Sequence, residues 1–168
     1  TTTVAPTTTT TVAPTTTTAV IPDGQVFTSL AALKSALEEW GENQVEAEAE
    51  YGYVNTWDVS QITDFSWLTA NHLDGKDLDI SNWDVSNVIK MSYMFYGSKL
   101  NSLDISGWDL SSVERLNGMF HGSKLTSIVL PTNPNTINLK YTSLMFSGSN
   151  QLEGTLDMSG FNTPSLLN

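Results

Sequence analysis

A motif of 25 or 26 residues recurs along the chain, and it constrains the fold more than any other feature of the sequence. A Trp-Asp pair, a Met-Phe pair and a Gly-Ser pair each occur three times at this spacing. The pairs are Trp57-Asp58, Trp83-Asp84 and Trp108-Asp109, then Met94-Phe95, Met119-Phe120 and Met145-Phe146, then Gly97-Ser98, Gly122-Ser123 and Gly148-Ser149. Such a period is typical of repeat proteins, because one unit cannot bury its own apolar side and must stack on the next.

Each repeat unit joins two hydrophobic patterns. Leu78 and Ile80 alternate with polar residues, which predicts a short strand with one buried side. The apolar residues that follow have helical spacing, which predicts a short helical segment. These residues are Val88, Met91, Met94 and Phe95 in one unit, and Val113, Leu116, Met119 and Phe120 in the next. We therefore expect an α+β repeat solenoid of stacked coils. Its interior would hold one ladder of Trp57, Trp83 and Trp108, and another of Phe95, Phe120 and Phe146.

The fourth unit is looser than the others. Ile128 and Leu130 keep the strand pattern, but Pro131 and Pro134 fall where the Trp-Asp segment is expected. Because proline has no backbone N–H, we expect a different geometry there.

An amphipathic segment precedes the repeats. Its apolar stripe is Leu30, Leu33, Leu37 and Trp40, with Thr28 or Ser29 as the N-cap. Gly41 is well placed to end this helix. Residues 45–51 fit either a second short helix or an alternating strand, and we favour the helix. We expect residues 23–50 to cap a solenoid that covers residues 51–168.

Residues 1–22 form a leader of Thr, Val, Ala, Pro and Ile without charge. It repeats every eight residues, so that Val4, Val12 and Val20 would share one face of an extended chain. Thr- and Pro-rich composition is typical of flexible linkers and of O-glycosylated stalks. The predicted O-glycosylation sites are Thr1, Thr2, Thr3, Thr7, Thr8, Thr9, Thr10, Thr11, Thr15, Thr16, Thr17 and Thr18. No Asn-x-Ser/Thr sequence occurs, so any glycan on the leader would be O-linked.

Charge and composition exclude several classes of partner. All charged residues follow the leader, and their net charge of -11 argues against nucleic acid and anionic membranes. No apolar run is long enough to span a bilayer, so we expect no membrane insertion. Without cysteine, neither disulfides nor thiolate metal sites can form. The chain begins at Thr, which is expected of a processed form or a stretch of a longer protein.

The sequence contains no arrangement typical of an enzyme, and we expect no cofactor. His72 and His121 are the only histidines, and His121 takes the position of Tyr96 one unit earlier. Asp58, Asp84 and Asp109 recur after Trp, which favours turn-capping roles over a metal site. One repeat position varies widely in size and is the best candidate for an exposed contact. It is occupied by Trp67, Tyr93, Gly118 and Leu144.

The pattern Asp-Ile-Ser-x-Trp-Asp-Val-Ser, followed by Met-Ser-x-Met-Phe-x-Gly, resembles the BspA-like leucine-rich repeat surface proteins, the DUF285 repeat family. The resemblance covers about residues 26–162 and is strongest in the two central units. It implies a leucine-rich-repeat-like fold, an extracellular or cell-surface location, and roles in adhesion. The family has no catalytic motif to transfer to this chain.

Two functions follow from these expectations. The first is an extracellular structural subunit that assembles head to tail with itself into a surface fibre, with an O-glycosylated leader. We predict subunit contacts at Val4, Val12, Val20, Phe161, Leu166 and Leu167, because no helix caps the last coil and the leader could add to a neighbour. The second is a monomeric adhesin or ligand-binding module on a glycosylated stalk.

Overall fold

The structure is a computed structural model, and it describes residues 22–68, 73, 75–132 and 134–161. Two helices come first, α1 (Leu30–Glu42) and α2 (Gln44–Tyr51), and a short 3-10 helix, Val54–Thr56, follows. The strands β1 (Ser102–Asp104) and β2 (Ser127–Val129) pair in parallel. Among the described residues, every helix is too short or too polar to cross a membrane.

The two helices are fixed by capping and by a buried stripe. The Ser29 hydroxyl accepts a hydrogen bond from the backbone N–H of Ala32, as expected of an N-cap. Leu33, Leu37 and Trp40 face the core. Residues 45–51 fall within α2, so the favoured helix is confirmed and the alternating strand is wrong.

The segment before α1 packs against the first repeat unit. The N–H of Phe27 donates to the carbonyl of Asp58 (2.8 Å), and the N–H of Asp58 donates to the carbonyl of Gln25 (2.9 Å). The Phe27 ring lies 5.0 Å from the Trp57 ring, centroid to centroid. This contact covers the first tryptophan of the repeats with apolar surface.

Equivalent positions of consecutive units lie next to each other. The pairs Asp64–Lys90, Lys90–Arg115 and Arg115–Tyr141 are successive parallel bridges. β1 and β2 follow the same rule, since Leu103 pairs with Ile128. Residues about 25 positions apart are thus neighbours across the units.

The core contains two sets of aromatic rings. In the first set, Trp57 and Trp83 are stacked with ring centroids 6.5 Å apart. In the second set, Phe95 stacks on Phe120 at 5.4 Å, and Phe120 stacks on Phe146 at 5.0 Å. The buried indoles of Trp57, Trp83 and Trp108 also donate to backbone carbonyls. The Trp83 Nε1–H donates to the carbonyl of Val54 (2.8 Å), and the Trp108 Nε1–H donates to that of Ile80 (3.1 Å). Since Val54 and Ile80 occupy one repeat position, Trp83 and Trp108 each bind their own unit to the one before it.

The aspartates after these tryptophans cap turns, as the sequence predicts. Their Oδ1 atoms accept the N–H of the residue two positions on, with donor–acceptor distances of 2.9 to 3.0 Å. The three pairs are Asp58–Ser60, Asp84–Ser86 and Asp109–Ser111. Hydrogen bonds from the serine side chain and backbone lower the pKa of Asp58 and of Asp84.

The predicted helical segments are wrong, because residues 92–97, 117–122 and 143–148 form turns. A helix would direct every N–H to a carbonyl four residues back. Here alternate N–H groups point to the next unit instead. The N–H of Met91 donates to the carbonyl of Arg115 (2.9 Å), and that of Phe95 to the carbonyl of Met119 (2.8 Å). The residues between them close i→i+3 turns, as Met94 does with Met91.

The strand predicted at residues 77–81 is also absent from the described structure, where only β1 and β2 are strands. Leu78 and Ile80 are buried as predicted. Asp79, between them, accepts hydrogen bonds from the N–H and hydroxyl of Ser81 and from Nδ2 of Asn55. The bonds from Ser81 close a local turn, and the bond from Asn55 joins the segment to the preceding unit.

Candidate interaction surface

One repeat position has left-handed backbone in every unit. Trp67, Tyr93, Gly118 and Leu144 have φ values of 60°, 56°, 56° and 59°. This conformation costs an L-residue with a side chain about 1–2 kcal/mol, and bulky residues adopt it rarely. The surrounding bonds impose it, since the N–H of Tyr93 donates to the carbonyl of Asn117 (2.8 Å) in the next unit. Three large apolar side chains thus occupy a position that favours glycine.

The first two of these side chains stack on each other. The Trp67 and Tyr93 rings lie 4.5 Å apart, centroid to centroid, with an interplanar angle of 17°. Tyr93 then extends over Gly118, where a Cβ atom would lie only 2.6 Å from Cδ1 of the tyrosine. The Tyr93 ring fits here because residue 118 is a glycine and has no side chain.

A second pair of rings lies beside the first. Tyr96 and His121 occupy equivalent positions in consecutive units and stack with centroids 5.4 Å apart and planes 2° apart. Tyr96 also contacts the first pair, at 5.3 Å from Trp67 with a tilt of 58°. Trp67, Tyr93, Tyr96 and His121 therefore form one continuous group of rings, which we call the aromatic strip.

The strip faces solvent and contains no Asp, Glu, Lys or Arg. Trp67 is 51% exposed and Tyr96 is 44% exposed, while Tyr93 and His121 are half-buried. Small polar residues accompany the rings at the preceding repeat position, namely Ser66, Ser92, Asn117 and Ser143. Asn117 Nδ2 donates to the hydroxyl of Ser143 (3.0 Å). An aromatic area without Asp, Glu, Lys or Arg thus lies on a chain with a net charge of -11.

His121 belongs to the strip through its stacking on Tyr96. Its Nδ1 atom is buried and lacks a hydrogen-bond partner within the described structure. No group of three His, Cys, Asp or Glu side chains in the described ranges could hold a metal ion.

A cavity of about 210 Å³ lies between β2 and residues 155–161. Its walls include Ile128, Leu130, Leu156 and Phe161. Phe161 itself is only 8% exposed and packs into the core. A contact of a second subunit with Phe161 would therefore have to be made through this cavity.

The structure locates only part of the residues singled out in the sequence. The leader threonines, Val4, Val12, Val20, Leu166 and Leu167 lie outside the described residues, and so does His72. The variable position is exposed at Trp67 and at Leu144 (57%), as predicted for a contact, whereas Gly118 is buried beneath Tyr93. The sequence did not single out Tyr96 as part of this surface. Its place three residues after Tyr93, within the same exposed turn, was the available signal.

Comparison with known proteins yields one family. The family model described as "Mycoplasma protein of unknown function, DUF285" matches residues 25–159. No curated protein and no solved structure matches the chain. The match spans the helices, the described repeat units and the aromatic strip. The chain therefore belongs to the DUF285 family.

Proposed function

We propose that this chain is a non-catalytic, BspA-like surface protein that binds an extracellular partner through the aromatic strip. The observation that carries the proposal is the exposure of stacked rings, led by Trp67 at 51%, on an otherwise acidic molecule. Large exposed aromatic groups are enriched at recognition surfaces, where they supply rigid contact area at low entropic cost.

The proposed scaffold is a leucine-rich-repeat-like solenoid over residues 51–168, with residues 23–50 as its cap. Support comes from parallel pairing at intervals of about 25 residues and from ring contacts between consecutive units. Such an arrangement holds the strip on a rigid frame, because backbone hydrogen bonds join consecutive units and the indole N–H groups of Trp83 and Trp108 add to them.

The proposed location is the cell surface or the extracellular space. It rests on the resemblance of the repeats to BspA-like proteins and on the Thr-rich composition of the leader, which is typical of O-glycosylated stalks. The proposal that the chain is not an enzyme rests on the repeat pattern and on the structural place of His121 in the strip.

An adhesion assay tests the binding role. Beads coated with the full chain would be placed on cell layers and on extracellular-matrix coatings, and retention under flow would be measured. We expect Trp67→Gly/Tyr96→Ala to reduce retention at least tenfold. Tyr53→Ala is the matched control, because Tyr53 is equally exposed at 51% but lies outside the strip. Equal retention of the strip variant and the wild type would refute the proposal.

A self-assembling fibre is the second candidate, and the cavity lined by Phe161 favours it. This cavity offers apolar walls from Leu130, Leu156 and Phe161 to an apolar side chain of another copy. Contacts of one surface with a different surface of the next copy can propagate into a filament.

Sizing chromatography and negative-stain imaging test the fibre. Under this proposal the full chain polymerises, and deletion of residues 1–22 or Leu156→Asp yields monomers. A monomeric full chain, or polymers that persist in both variants, would exclude this assembly mode.

A further inference from the structure

We infer that the aromatic strip is a binding site for a neutral oligosaccharide. This inference rests on the proposed binding role of the strip and adds the chemical class of the ligand. It follows from three properties of the described residues: an open aromatic platform, hydroxyl and amide groups at the preceding repeat positions, and the absence of Asp, Glu, Lys and Arg from the strip.

The platform comes from the way in which the rings overlap. Tyr93 covers one side of the Trp67 indole at 4.5 Å, yet about half of Trp67 stays exposed. Tyr96 meets Trp67 at a tilt of 58° instead of lying flat on it, so the two rings form a corner. One face of a pyranose carries polarised C–H groups, and these pack well on an electron-rich aromatic surface.

Polar side chains next to the rings can bind sugar hydroxyls. Ser92 precedes Tyr93, and Asn117 precedes Gly118 on the neighbouring unit. Both residues are half-buried, and the Asn117 amide is held by its bond to the Ser143 hydroxyl, which limits their freedom before binding. Fixed hydroxyl and amide groups beside an apolar surface are the combination that orients a small polar ligand.

The negative charge of the chain favours a neutral glycan over an anionic one. The chain has a net charge of -11, which disfavours sialylated or sulfated sugars by long-range repulsion. Two cations of the same repeat units, Lys90 and Arg115, contact neighbours of their own. Lys90 pairs with Asp64 (3.1 Å), and the Arg115 guanidinium lies 4.7 Å from the centre of the Tyr141 ring. A ligand without formal charge is not repelled by the acidic chain and does not need a free cation to bind.

The backbone explains how the strip can be altered without loss of the fold. Trp67 has φ 60°, and Gly118 occupies the same position of a later unit at φ 56°. Trp67→Gly therefore removes the platform while it places a residue that this backbone favours. A loss of binding in this variant reports on the ring itself.

The test is an array of neutral oligosaccharides built from glucose, mannose, galactose and N-acetylglucosamine, with sialylated and sulfated glycans printed beside them. We expect the full chain to bind at least one neutral glycan. Trp67→Gly should weaken that binding at least tenfold, and Tyr53→Ala should leave it unchanged. The inference would be overturned if the full chain bound no neutral glycan or bound anionic glycans alone. It would also be overturned if Trp67→Gly bound the glycan as well as the wild type does.

Acrylamide quenching of tryptophan fluorescence gives a second readout at the site. Trp40, Trp57, Trp83 and Trp108 are buried, so Trp67 dominates the quenching. The bound glycan should protect it, and glycan binding without protection would place the ligand elsewhere.

The bead assay separates the two proposals. Strip-dependent retention without any neutral glycan ligand would leave the binding role standing and remove the oligosaccharide. If the strip variant were retained as well as the wild type, both the binding role of the strip and the oligosaccharide proposal would be refuted.

Discussion

Tyr93 and Gly118 are complementary across two consecutive repeat units. The tyrosine ring occupies the space into which a side chain at residue 118 would extend, and a Cβ there would meet Cδ1 of the ring at 2.6 Å. Both residues have left-handed backbone, at φ 56° each. The position of the aromatic strip thus depends on a glycine that contributes no side chain to it.

Gly118→Ala tests this dependence. We expect it to lower the free energy of unfolding by roughly 2–4 kcal/mol, from the left-handed backbone and the overlap with Tyr93 combined. Gly97→Ala is the matched control, because Gly97 has φ 62° with open space around its Cα. It should cost only about 1–2 kcal/mol, from the backbone alone. Urea unfolding measures both, and equal losses would contradict the overlap.

Leu144→Gly should stabilise the protein. Leu144 is 57% exposed and has φ 59°, so its side chain contributes little contact at a backbone position that favours glycine. Relief of this conformation should add about 1 kcal/mol to the free energy of unfolding. Ile137→Gly is the control, since Ile137 is similarly exposed but lacks a positive φ. There glycine should destabilise, by about 0.5–1 kcal/mol. A loss of stability in Leu144→Gly would show that its side-chain contacts outweigh the strain.

Trp83→Phe tests the bond between units. The buried indole N–H of Trp83 donates to the carbonyl of Val54 at 2.8 Å, and phenylalanine would leave that carbonyl without this donor. The lost hydrogen bond and the smaller ring should together cost roughly 2–4 kcal/mol. Trp67→Phe, at an exposed position, should change stability by no more than about 1 kcal/mol. Thermal unfolding of the two variants gives the comparison, and similar losses would argue against a special role of the buried indole.

Acid should lower the free energy of unfolding, because the turn-capping aspartates become protonated. Hydrogen bonds from the Ser81 side chain and backbone lower the pKa of Asp79 below its usual value of 3.8. Because the folded state binds this proton more weakly than the unfolded state does, the stabilisation is present above about pH 4 and is lost as the pH falls further. Ser81→Ala should raise the pKa of Asp79, as followed by NMR titration.

Asp79→Asn provides the control for the acid response. It keeps an oxygen acceptor for Ser81 but cannot titrate, so unfolding curves recorded from pH 7 to pH 3 should show a weaker loss of stability than in the wild type. An unchanged acid response in this variant would assign the effect to other carboxylates, of which Asp58, Asp84 and Asp104 also have lowered pKa values.

Much of the local architecture could be predicted from single residues and their spacing. Ser29 and the stripe that includes Leu33 and Trp40 defined α1, because capping and 3.6-residue periodicity are local properties. The burial of Trp83 and of Phe95 followed from their recurrence in every full unit. The turn role of Asp84 followed from the ability of its short side chain to accept a nearby N–H.

The sequence by itself determined the period of the repeats, the residues that are buried and the aspartates that cap turns. Tertiary structure alone decided that Met91 and Phe95 donate their N–H groups to the next unit, so that a helical pattern of apolar residues became a series of turns. It also decided that Trp67 and Tyr93 adopt left-handed backbone and meet Tyr96. The physical reason is distance along the chain. Residues 25 or 26 positions apart become neighbours only when units pack side by side, and no local propensity encodes that contact.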